Sequence, residues 1–162
     1  MTNDEILQVA MRQSAIDSSC FPDDFMASEN RVVISKPSAD ARKYLELPFL
    51  CDLTSYGGNI VASVSEELNE TVRSYIDRFP VERCFETPNL HVLMDTLRPL
   101  GMNVCFMAEY FLPDVGQLES LGCGFRTELL CGEEFAGLYR PQWRTDLCEQ
   151  RKVPYRPAVG PC

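Results

Sequence analysis

The stretch from residue 49 to residue 80 limits the possible folds of this chain most tightly. Two strand-like runs, residues 49–56 and 59–64, flank Gly57-Gly58. Glycine accepts the positive φ that a tight hairpin turn demands, so this pattern predicts two antiparallel strands. Ser65 then opens a helix over residues 65–79, with Leu68, Val72, Tyr75, Ile76 and Phe79 on one stripe and Pro80 at its end. A hairpin feeding an amphipathic helix needs further layers on both sides, so the chain is expected to build a layered domain of sheet and helices.

The flanking segments extend that pattern. Thr2 and Glu5 have the spacing of a capping box and predict a helix over residues 3–18, with Ile6, Val9, Met11 and Ile16 as its apolar positions. Pro22 suits the first turn of a short helix reaching Met26. Residues 31–36 are β-branched, stop at Pro37, and predict a strand. Residues 81–85 fit a short strand. Thr87-Pro88 starts a helix over residues 88–100, with Leu90, Leu93, Met94 and Leu97 in line and Gly101 closing it. Residues 102–112 are almost wholly apolar, the pattern of a strand buried on both faces. A further strand is expected at residues 125–130 and a helix at residues 133–139. The fold class is therefore α/β (α+β): a mixed, mostly antiparallel sheet of residues 31–36, 49–56, 59–64, 104–112 and 125–130, flanked by helices.

Charge and cysteine content narrow the function. With 15 Lys and Arg against 24 Asp and Glu, the net charge of −9 argues against nucleic acid as a partner, because phosphate binding needs a cationic surface. No apolar run approaches the ~20 residues that span a bilayer, so no integral membrane role is expected. The first residues lack the features of a secretion signal, which predicts a cytoplasmic protein with reduced cysteines. The 8 cysteines include no C-x-x-C pair, and there is 1 histidine. That set offers no metal-site spacing, and Cys51 and Cys105, inside apolar runs, are expected to act as small hydrophobes.

The element order resembles the GNAT acyltransferase fold with its first strand missing. Leu97, Leu100, Gly101 and Met102 resemble the helix-to-strand turn that follows the acyl-CoA site in that superfamily. The wording around Phe85-Glu86-Thr87-Pro88-Asn89 and Val104-Cys105-Phe106-Met107-Ala108-Glu109-Tyr110 is similar to the amino-terminal half of longer bacterial members, in which a GNAT-like lobe precedes a complete acetyltransferase domain. The resemblance implies a first lobe over residues 1–123, extended by a strand at 124–131. It also implies an incomplete second lobe over 132–152 and an irregular tail at 153–162, as in a truncated front half. The implied parent activity is acetyl transfer from acetyl-CoA to an amine, with the CoA loop in a missing carboxy-terminal lobe.

The residues themselves lack that loop. A Q/R-x-x-G-x-G/A loop lets main-chain N–H groups reach a pyrophosphate at a helix N-terminus. The matching junction here is Ala62-Ser63-Val64-Ser65-Glu66-Glu67-Leu68-Asn69, with no glycine and two carboxylates that repel an anion. Arg98-Pro99-Leu100-Gly101-Met102-Asn103 is the near match, but it joins a helix to a strand, the wrong order. The chain alone is therefore expected to bind no acetyl-CoA tightly and to be inactive. The opposing reading is a noncatalytic binding module. A third is an independent enzyme, with two candidates. Glu109 sits inside the apolar run on a face with Cys105, Met107 and Phe111, where burial would raise its pKa and suit a general base. His91 stands one step off the Leu90 stripe and is a possible partner for Cys84 as nucleophile. Finally, Phe135, Leu138, Tyr139 and Trp143, with little to pack against, are expected to form an apolar interface that gives a homodimer, or weak aggregation, through residues 133–148.

Overall fold

The computed structural model describes residues 1–119, 122, 124, 134 and 140–143. The chain divides into two units, Met1–Leu118 and Glu119–Cys162. In the second unit the described residues include one short 3-10 turn, Pro141–Trp143. The expected strand at 124–131 (residues 125–130), the expected helix at 133–139, and Phe135, Leu138 and Tyr139 lie outside the described residues, apart from single positions.

The first unit is a mixed α/β layer structure. Its sheet has β1 (Arg31–Ile34), β2 (Cys51–Ser55) and β3 (Ile60–Val64) in the order β1-β3-β2. β2 and β3 form the expected antiparallel hairpin, with Leu53 opposite Ala62, and Gly57 takes φ 102° in its turn. β1 instead runs parallel to β3, with Val32 beside Ala62. The described sheet is thus mixed and flanked by helices, as expected, with one parallel and one antiparallel pairing. The reason lies in the connections: the chain between β1 and β2 is long enough to carry β2 past β1 to the far side of β3.

β3 is buried along its whole length, and its side chains alternate between two cores. Ile60, Ala62 and Val64 meet Leu68 of the 3-10 turn Glu66–Leu68, Val72 and Ile76 of α2 (Asn69–Ile76), and Leu93 and Leu97 of α4 (Thr87–Leu97). Val61 points the other way, onto Met11 and Ala15 of α1 (Asn3–Ser18) and Phe25 of the 3-10 turn Pro22–Met26. Helices therefore cover both faces. The capping box of Thr2 and Glu5 is formed. Of the expected apolar positions of α1, Met11 is buried, together with Ser14, Ala15, Asp17 and Ser18, whereas Val9 and Ile16 are exposed.

Two local expectations fail. Residues 81–84 form a helix, α3 (Val81–Cys84), with Pro80 at its N-cap. A single β-branched residue there is too little to hold a strand, and Cys84 is drawn into the core, where its carbonyl accepts the Tyr75 hydroxyl (2.6 Å). More consequentially, residues 102–114 have no regular structure, and residues 105–112 are exposed. The expected central strand at 104–112 is not a member of the sheet. Strand-like composition makes a segment competent to pair but does not supply the partner, and β3 already has neighbours on both sides.

Candidate functional site

Glu109, expected in the core, is exposed, and so are its neighbours on both faces of the segment. The burial on which the general-base reading rested is therefore missing. His91 is on the exposed side of α4, whereas Cys84 is fully buried. The Cys84 thiol lies toward the main-chain oxygens of Phe79 (3.6 Å) and Ile76 (3.9 Å), and burial raises its pKa. A protonated, enclosed thiol and a surface imidazole form no nucleophile–base pair. Burial also pushes the Cys20 and Cys51 thiols up to about 12. Trp143 ends the 3-10 turn Pro141–Trp143.

The junction between β3 and α2 carries no glycine. Ser65 occupies the N-cap position without a side-chain capping bond, and Glu66 and Glu67 are exposed in the first turn. Their charges occupy the place where a pyrophosphate would need free N–H groups. At the other motif, Arg98–Leu100 forms a 3-10 turn and Gly101 takes φ 75°, so the glycine ends a helix and does not open one.

A polar cluster that the sequence reading missed lies on the α1 side of the sheet. Asp17 of α1 is 3% exposed. Its carboxylate accepts the Arg42 main-chain N–H (2.9 Å), the Arg42 Nε and the Gln13 amide (3.1 Å). The Arg42 guanidinium also donates to the Tyr44 hydroxyl (3.0 Å). Burial pulls the Arg42 pKa down, but the bond and charge of Asp17 outweigh it and leave the guanidinium above its ordinary value. Asp52 of β2 is directly opposite Ser63 and accepts the Thr54 hydroxyl (3.0 Å). Burial raises the Asp52 pKa, opposed by that bond and by Arg42. The buried hydroxyls of Ser63 and Ser65 have no hydrogen-bond partner among the described residues. Asp17 is recognisable in retrospect, because it sits beside Ser14 and Ser18 on the helix face that is buried. Its partner is 25 residues away, and no local pattern marks it.

This cluster is a clamp rather than a catalytic centre. Asp17 and Arg42 saturate each other, and no nucleophile with a base and an orienting group is assembled there. The nearby depression, lined by Ala41, Arg42, Lys43 and Leu45, is open to solvent. Among the described residues no group of His, Cys, Asp and Glu is placed to hold a metal ion, and no helix is long and apolar enough to cross a membrane.

The most unusual surface is instead the segment at 104–112. Phe106 is 74% exposed, Tyr110 70% and Phe111 88%, with Met107 beside them. The segment is held at both ends. Met102 packs on the main core and its N–H donates to Leu97 O (3.3 Å). At the far end Asp114 accepts the Asn3 amide (2.8 Å), and the Val115 N–H donates to the Asn3 side chain (2.8 Å). Compared with known protein families, curated proteins and solved structures, the chain finds no match.

Proposed function

We propose that this chain is a noncatalytic interaction module that presents residues 104–112 to a protein partner as an extended, strand-competent peptide. The observation that carries this reading is a run of exposed aromatic and aliphatic side chains strung between two anchors. A soluble surface rarely leaves such an apolar run uncovered unless it serves as a contact. Unpaired main-chain groups along an extended segment supply affinity by β-addition, and alternate side chains supply specificity. Replacing Phe106 and Phe111 together by Ser tests it. A hydrophobic dye should bind the native protein and be lost from the variant, with the melting temperature unchanged. Unchanged dye binding, or a melting point lowered by several degrees in highly diluted protein, overturns the reading, because the rings would then be core.

The second reading is the acetyltransferase front half, in which the partner is a carboxy-terminal lobe that carries the acetyl-CoA loop. The observation favouring it is the passage from β3 into α2 at the place where the resemblance puts a strand-to-helix junction. Both readings predict that this chain alone binds no acetyl-CoA, and micromolar binding in a calorimetric titration would overturn both. The reading frames downstream in the gene separate them: a segment encoding Q/R-x-x-G-x-G/A there favours the acetyltransferase half, and its absence favours the module. A reducing, cytoplasmic setting belongs to both readings.

A further inference from the structure

Deepening the interaction-module reading, on which it rests, we infer that the partner of residues 104–112 is the same segment of a second copy, paired antiparallel about a two-fold axis at Ala108. The run Val104-Cys105-Phe106-Met107-Ala108-Glu109-Tyr110-Phe111-Leu112 is self-complementary. With Ala108 on the axis, Phe106 faces Tyr110 twice and Val104 faces Leu112 twice, all on one side of the ribbon. The side chain at the axis, where two identical residues must meet, is the smallest in the segment. On the other side Cys105 faces Phe111, and Glu109 faces Met107 of the other copy instead of its own counterpart. Like charges are thereby kept apart.

Moving the two-fold axis by one residue puts Met107 against itself or sets two Glu109 carboxylates face to face, and moving it by two puts Phe106 or Tyr110 against itself and lengthens the unpaired ends. The chain carries −9 overall, yet Glu109 is the only charge between Gly101 and Pro113, so this stretch is where two copies meet with least repulsion. An isolated two-stranded ribbon is marginal because ordering its strands is costly. Here each strand is already fixed at Met102 and at Asp114, which reduces that cost. The contact is isologous and closes after two copies, so it forms a dimer and not a fibre.

Substituting Ala108→Cys in a chain whose Cys105 is replaced by Ser tests the register. Paired Cα atoms of an antiparallel ribbon are about 4.5–5.5 Å apart, within disulfide reach. Mild oxidation should give a dimer whose cross-linked peptide, found by mass spectrometry, joins residue 108 to residue 108. In the parent chain Cys105 should not link to itself, because the two thiols lie about 20 Å apart along the ribbon. Met107→Lys should tighten the dimer about 2- to 30-fold by building two ion pairs with Glu109, and Met107→Glu should weaken it similarly. A clean monomer in sedimentation whose segment still binds hydrophobic dye overturns self-pairing and leaves the module reading standing. A monomer that binds no dye overturns both. A dimer linked through Cys105, or indifferent to Met107, overturns the proposed register.

Discussion

Asp17→Ala removes the one carboxylate that ties the loop after β1 back to α1. Three bonds end at once: the Arg42 main-chain N–H (2.9 Å), the Arg42 Nε and the Gln13 amide (3.1 Å). Removing one partner of a buried ion pair costs about 3–5 kcal/mol, because the other charge remains in a poorly solvated place. The Arg42 side chain is 25% exposed and can turn partly to water, so the lower end applies, about 3 kcal/mol. For a domain of this size that is about 10–15 °C in melting temperature. Asp17→Asn keeps an acceptor for the Arg42 N–H and loses only the charge, so it should cost about half as much. Urea unfolding of Asp17→Ala, Arg42→Ala and the double variant closes a cycle whose coupling should be about 1–3 kcal/mol. A coupling near zero, or an Asp17→Ala cost below about 0.5 kcal/mol, would refute the clamp.

Asp52 is pushed upward mainly by burial, so it holds its proton more tightly folded than unfolded. Its contribution is therefore complete below the unfolded carboxylate range and is lost as pH rises through the raised folded value. Asp52→Asn should flatten that part of the stability–pH curve and be more stable than the parent at neutral pH; a parallel, unshifted curve would contradict it. Ile76→Ala opens a cavity against β3 at a fully buried position and should cost about 2–5 kcal/mol in urea unfolding. Glu109→Gln and His91→Ala alter exposed side chains and should each stay within about 0.5 kcal/mol of the parent; a larger loss would place either one in a packed or paired environment.

The elements legible in the sequence are those specified by their own residues. Gly57 supplies the positive φ of the β2–β3 turn, Thr2 and Glu5 cap α1, and Gly101 ends the turn after α4. What local pattern does not contain is which strands meet. The parallel pairing of β1 with β3 depends on the path of the residues between β1 and β2, and the Asp17–Arg42 clamp joins residues far apart in the chain. Residues 104–112 illustrate the same limit most plainly. Val104, Phe106, Ala108, Tyr110 and Leu112 on one side, with Cys105, Met107 and Phe111 on the other, satisfy the pattern of a doubly buried strand. Yet β3 is already flanked by β1 and β2, and the segment stands outside the sheet. An apolar strand pattern specifies a need to be covered, and an interface meets that need as well as a core does.

The central claim is that residues 104–112 are displayed rather than incorporated. Peptide-resolved amide hydrogen exchange on highly diluted protein measures this directly. The account predicts that 104–112 exchanges at nearly the rate of an unstructured peptide, while residues of β3 exchange only on global unfolding. Protection of 104–112 equal to that of β3, unchanged at the lowest concentration, would place the segment inside its own sheet and contradict the account.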